Sequence, residues 1–185
     1  MQSKEEQSLV ERVKALHPTR VATVEVASFV FDREFRRLCE VNHCGFYNRK
    51  WTCPPHVGEV DDLVAEARTY ERAVVYQLVG FLKHSFDWKG TLAAGEVFNR
   101  ISFKINDDIV PTLARARLLG AGHCQRCPTC AFQTDEPCRS PGKAIRSLEA
   151  NCVDVKALAD SCGMKFINGQ DTVTLFGAVL YSPSA

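Results

Sequence analysis

Residues 72–81 read RAVVYQLVGF. The run is β-branched, aromatic and apolar almost throughout, broken only by Gln77, which suits a strand buried on both faces in the middle of a sheet. The C-terminal segment TVTLFGAVLY, residues 172–181, has the same character with Gly177 inside it, and is read as a terminal strand. A third strand is expected in RVATVEVASF, residues 20–29, where Thr23 and Glu25 alternate with Val24 and Val26. Helical spacing fills the intervals. Leu9, Val13 and Leu16 mark an amphipathic helix, and Asp32 to Leu38 reads as a short helix delivering the chain to Cys39. Val60, Leu63, Val64 and Ala67 form a core-facing stripe. Ala94, Val97, Phe98, Ile101 and Ile105 mark a long helix that Pro111 interrupts. Leu113 to Leu119 is expected to continue helical as far as Gly120, and Gly142 to Ala150 to hold a short helix. Val155, Leu158, Ala159 and Cys162 define the last helix, closed by Gly163. The fold class expected is α/β or α+β: a single central sheet with packed helices and two cysteine-rich loops, at residues 39–56 and 122–142.

The chain has 185 residues, 45% hydrophobic and 24% charged, a length that favours one domain over residues 1–185. Lys and Arg total 23 against 22 Asp and Glu, net +1. No concentrated positive field attracts nucleic acid or an anionic membrane, so neither is an expected partner. The longest apolar stretch, Ala73 to Leu82, is far short of the ~20 residues needed to cross a bilayer. The N-terminus MQSKEEQSLVERV has no apolar core of a secretory signal, and a cytoplasmic location is expected. There is no Walker-type phosphate loop, no HExxH helix and no GxSxG elbow. Gly120-Ala121-Gly122 is followed by His123 and Cys124, which breaks a dinucleotide fingerprint; these glycines read as a helix stop and turn.

The chemistry is carried by nine cysteines. In a reducing compartment clustered cysteines bind metal or do redox work more often than they pair, and an odd count does not close a disulfide framework. Residues 123–141, HCQRCPTCAFQTDEPCRSP, place Cys124, Cys127, Cys130 and Cys138 as C-x2-C-x2-C-x7-C. Two-residue gaps let successive thiolates turn toward one centre while backbone N–H groups face it, as a [4Fe-4S] cubane requires. Four thiolates on an oxidised cubane leave a net charge of about −2, which Arg126, Arg139 and Lys143 can offset in part. Zinc is the alternative; its four-cysteine sites usually use two separated CxxC knuckles. A second group lies in CEVNHCGFYNRKWTCPPHVG, residues 39–58, with Cys39, Cys44 and Cys53 as C-x4-C-x8-C. It is one ligand short. Cys152, His43, His56, a non-protein ligand or nothing completes it, and Tyr47 and Trp51 are placed to shield it. Cys162 belongs to a helix stripe and reads as packing. His17 and His84 read as surface residues, and His43, His56 and His123 as neighbours of ligands.

The chain resembles, over about residues 35 to 181, a bacterial and archaeal family of predicted cysteine-rich metal-binding proteins of unknown function. The residues that carry the resemblance are Cys39, Cys44, Tyr47, Trp51 and Cys53-Pro54-Pro55, then Gly122, Cys124, Cys127, Cys130, Pro137-Cys138-Arg139, Pro141, Ser147, Glu149-Ala150 and Asp154-Val155. It implies metal binding of the iron–sulfur kind and supplies no reaction. The functional expectation is an iron–sulfur protein carrying one [4Fe-4S] cluster, or two, that exchanges electrons with a protein redox partner. A zinc-stabilised interaction module and an enzyme with an open-site cluster at the upstream cysteines are the alternatives.

Overall fold

The computed structural model describes residues 3–183. In chain order it contains α1 (Lys4–Lys14), β1 (Arg20–Glu25), α2 (Arg33–Val41), α3 (Val60–Arg68), β2 (Arg72–Phe81), α4 (Trp88–Lys104), β3 (Ala116–Gly120), β4 (Arg146–Ser147), α5 (Val155–Ser161) and β5 (Thr172–Tyr181). The five strands form one sheet in the order β1-β2-β5-β3-β4, giving a mixed α+β fold with five helices. Only β3 and β4 are parallel; every other pairing is antiparallel.

The apolar runs that read as buried strands are buried because both faces of the sheet are covered. Along β2, Ala73 and Val75 enter one core while Val74, Tyr76 and Leu78 enter the other. Phe176, Ala178 and Leu180 of β5 join the first, and Val179 and Tyr181 the second. This is period-two alternation between two dry layers. Leu9 and Val13 of α1 and Phe98 and Ile101 of α4 cover the second face. Val155, Leu158 and Ala159 of α5 cover the first, with Val26, Phe29, Leu148 and Val153. Cys162 packs against this layer, as its stripe predicts.

Across the β2–β5 register Tyr76 faces Gly177. A Cβ at Gly177 would collide with the Tyr76 ring, so glycine there is a space requirement. Buried Glu6 from α1 accepts from Arg72 Nε and Nη2 at 2.9 and 3.0 Å and from the Tyr181 hydroxyl at 2.8 Å. That ties the first helix to β2 and to the end of the last strand.

Three expectations are corrected. Leu113 to Leu119 is not helical: after Ile105–Ile109 winds as a π turn and Val110–Thr112 as a 3-10 turn at Pro111, residues 116–120 pair with β5 as β3. Gly120 therefore ends a strand, not a helix. Gly142 to Ala150 holds no α-helix; it contains two 3-10 turns and the two-residue strand β4, drawn into line by Leu119 and Gly120. The first strand stops at Glu25, and Val26–Ser28 turns as a 3-10 helix.

The topology positions the cysteines. The chain leaves the sheet at the end of β3 and re-enters beside it at β4, so residues 121–145 are an excursion anchored on neighbouring strands. Leu148 N–H donates to Gly120 O at 2.9 Å and locks the return. The segment between α2 and α3 lies against this excursion. The α2 helix extends to Val41, so Cys39 sits in its last turn and not in the following loop.

Candidate metal centre

Two cavities divide the seven cysteines read as ligands. Cys124, Cys127, Cys130 and Cys138 line one void of about 30 Å³, together with Trp51, Thr52, Arg126 and Arg139. Cys39, Cys44 and Cys53 line a second of about 390 Å³, together with His43, His123, Phe46 and Glu149. All nine cysteines are unpaired thiols. Among the described residues, no three His, Cys, Asp or Glu side chains are gathered closely enough to hold a single metal ion.

The downstream void is closed by contacts between the two loops. The Cys124 N–H donates to Thr52 Oγ1 at 3.3 Å, and the Trp51 indole N–H donates to Glu136 O at 3.0 Å. Phe132 meets the Trp51 ring edge-on at 5.0 Å between centroids, and His56 lies 4.5 Å from Phe132. His56 also contacts Asn48 Oδ1 at 2.7 Å, so it belongs to this aromatic seam and does not line the upstream cavity. Of the two shielding aromatics expected, Trp51 lines the downstream void and Tyr47 lines neither cavity.

Arg126 is held by Asp107 Oδ2 at 2.9 Å and Lys143 O at 3.0 Å. Its remaining Nη2 is buried with no hydrogen-bond partner. A buried guanidinium N–H without an acceptor is costly, and one in the wall of a four-cysteine void fits an anionic occupant with acceptor atoms. Lys143 pairs with Asp107 at 3.4 Å and does not line this void, unlike Arg126 and Arg139.

In the upstream cavity burial pushes the Cys53 thiol up to about 11, and the nearby Cys44 and Cys39 push the same way. Burial also raises Cys39. These are protonated thiols that a metal must deprotonate, and their mutual influence places the three in one neighbourhood. Glu149, beside Cys39, is raised by burial, opposed by hydrogen bonds from its own backbone N–H and from Ser147. His123 is lowered to about 4, by burial first and then by the Lys50 charge; its ring stacks on Phe46 at 3.5 Å. Lys50 is only 7% exposed, with its ammonium 5.6 Å from the Phe46 ring centre.

Of the candidates for a fourth upstream ligand, His43 lines the cavity, whereas His56 and Cys152 do not. Cys152 is buried at the end of a 3-10 turn in the left-handed region. His17 and His84 are exposed, as read. Sequence reasoning gave no role to Glu149, Lys50 or Thr52. For Glu149 the available signal was a lone acid inside the apolar stretch Ser147-Leu148-Glu149-Ala150; Lys50 and Thr52 carry none.

Residues 22–181 match a family described as predicted metal-binding protein (DUF2284). No curated protein and no solved structure gives a significant match. No helix among the described residues is long and apolar enough to cross a membrane.

Proposed function

The chain belongs to this family of predicted metal-binding proteins, and from that premise we propose that it is an iron–sulfur protein of redox function. In this reading Cys124, Cys127, Cys130 and Cys138 hold a [4Fe-4S] cluster, and Cys39, Cys44 and Cys53 hold a second metal site. The observation that carries it is the shared void: four cysteines of one anchored excursion line a space bordered by Arg126, whose Nη2 is buried with its donor unused.

The donor set fits this group better than a single ion. Zinc–thiolate bonds of about 2.3 Å in a tetrahedron put sulfurs about 3.8 Å apart, and no such gathering occurs among the described residues. A cubane takes its thiolates on the outside of a wider inorganic body. Bound there, the cluster supplies one-electron transfer at a potential set by charge, burial and hydrogen bonds to sulfur. The chain's own part is to supply the thiolates, to bring cationic Arg126 and Arg139 to an anionic centre, and to exclude water with Trp51 and Phe132. The expected partner is a redox protein.

The test is iron, acid-labile sulfide and zinc per chain after purification without oxygen. A brown protein with equal iron and sulfide, of which Cys127→Ser loses the downstream share, is the expected result. A colourless protein holding zinc and no sulfide overturns the reading and leaves a zinc-stabilised interaction module.

A further inference from the structure

The upstream group has three thiols, and the page offers a fourth donor that is not a cysteine. Glu149 lines the same cavity as Cys39, Cys44 and Cys53. It is carried on the 3-10 turn Glu149–Asn151, which is pinned to the sheet: Ala150 N–H donates to Ser147 Oγ at 3.0 Å and Asn151 Nδ2 to Ser147 O at 2.8 Å. Glu149 is half-buried in this wall, and no ion pair to it is present among the described residues, so its carboxyl is not committed to a cation. The nearby cation Arg36 spends its guanidinium on Ala150 O at 3.0 Å and Gly58 O at 2.7 Å. Of the two histidines in this wall, His43 is exposed on the loop after α2 with no comparable anchor, and the His123 ring is stacked on Phe46 at 3.5 Å.

A complementary excess of positive charge lies on the other side. Lys50 is buried near Cys53, and its ammonium lies 5.6 Å from the Phe46 ring centre with no carboxylate paired to it among the described residues. Arg36 faces Cys39 in the same way. Two cations without carboxylate partners beside three thiols and an acid without a cation describe a site whose charges balance around an anionic metal centre.

We propose that Glu149 is the fourth protein ligand of the upstream site, completing Cys39, Cys44 and Cys53 as a three-thiolate, one-carboxylate set for a second [4Fe-4S] cluster. This rests on reading the upstream group as a metal site. Binding as thiolates releases the thiol protons to solvent. Carboxylate is a harder and more readily exchanged donor to iron than thiolate, so the iron it holds is the labile corner of the cluster. Cys44 and His43 are both exposed, which leaves that side of the cavity reachable by a small Lewis base.

The experiment uses the full chain, reconstituted without oxygen with ferrous iron and sulfide, with iron counts, spin-resonance spectra and circular dichroism as readouts. Wild type is expected to hold about eight irons. Cys53→Ser is expected to hold about four, with the downstream spectrum unchanged. Glu149→Gln, after mild oxidation, is expected to lose about one iron and show a three-iron cluster signal, and Glu149→Cys to restore the full count. Iron retained in Glu149→Gln under the same oxidation overturns the proposal, as does loss of the corner iron in His43→Ala instead. About four irons in wild type, lost in Cys127→Ser but kept in Cys53→Ser, also overturns it while leaving the downstream cluster standing. Absence of iron from both sites instead brings down the reading on which it rests.

Discussion

Trp51→Phe probes whether the aromatic seam guards the downstream centre. The indole N–H···O bond to Glu136 closes one loop on the other at 3.0 Å, and the same ring meets Phe132 edge-on at 5.0 Å. Phenylalanine keeps an aromatic face but loses the hydrogen bond, worth about 1 kcal/mol. It also loses the second ring. Roughly 40 Å² of apolar surface at about 25 cal/mol per Å² is about 1 kcal/mol, and Trp51 is only half-buried, so about half of that applies. The loops should therefore open more easily by between about 1 and 2 kcal/mol, a factor of roughly 5 to 30 in the open population. When opening is fast relative to oxidation, that population sets how often oxygen reaches the proposed cluster. The assay is visible bleaching of the anaerobically loaded protein on exposure to air, with iron content matched beforehand. Bleaching should accelerate about 5- to 30-fold, and because the closed form is the native ground state, the stability measured in urea should fall by the same ~1 to 2 kcal/mol at most. Equal bleaching rates at equal iron content would refute the assignment of Trp51 as the gate.

Gly177→Ala drives a Cβ into Tyr76, whose hydroxyl lies 2.7 Å from Ser102 Oγ and whose ring stacks on Phe98 at 5.4 Å. Overpacking of this kind costs about 1–3 kcal/mol, read as a lower urea midpoint. For Glu6, burial raises the carboxyl, but hydrogen bonds from Arg72 and Tyr181 outweigh it and the group sits below its ordinary value. Between the folded value and the unfolded one of about 4.3 the unfolded chain binds more protons, so this contribution is complete above about 4.3 and lost as pH falls through the folded value. Glu6→Gln should cost about 3 kcal/mol at neutral pH and flatten the acid limb of stability against pH, measured by urea unfolding. Cys162→Ala, which removes a thiol packed on the first core, should cost about 1 kcal/mol and leave iron content unchanged. A drop in iron would move Cys162 from packing into a site.

What could be read beforehand was whatever a residue's own neighbours in sequence determine. The runs at 72–81 and 172–181 are apolar on both parities because both faces of the sheet are covered, and that pattern survives without knowing the partners. The stripes of α1, α4 and α5 follow from one-sided burial. By contrast, Leu113 to Leu119 has apolar residues compatible with either period. It becomes a strand because Ala116 to Leu119 find the edge of β5, a partner more than fifty residues away. The stretch after Gly142 loses its expected helix for the same reason, since Leu119 and Gly120 pull Arg146 and Ser147 into the sheet. At the site, the C-x2-C spacing was visible because consecutive thiols must turn together. Glu149 and Lys50 were not, because a carboxyl or an ammonium acquires meaning only from the groups that folding sets beside it.

The two cavities are not independent rooms. Trp51 and Thr52 line the downstream void while Cys53 and Pro54, next in the chain, line the upstream one. On the facing strand of the wall Gly122 and His123 line the upstream cavity and Cys124 the downstream one. The partition is thus two short segments, each with residues on both sides, cross-linked by Cys124 N–H to Thr52 Oγ1 at 3.3 Å and by the Phe46–His123 stack. A change in the position of Cys53 must be transmitted to Thr52 and hence to the N–H of Cys124, a donor of the kind that tunes cluster sulfurs. Thr52→Val keeps the shape of that side chain and removes the hydroxyl, which accepts from Cys124 N–H and also hydrogen-bonds the Cys53 thiol. On the proposed reading it should therefore leave both sites loaded and shift the reduction potential of the downstream centre, with a second shift upstream through Cys53. An unchanged potential would mean that the shared wall holds the loops together without coupling what they contain.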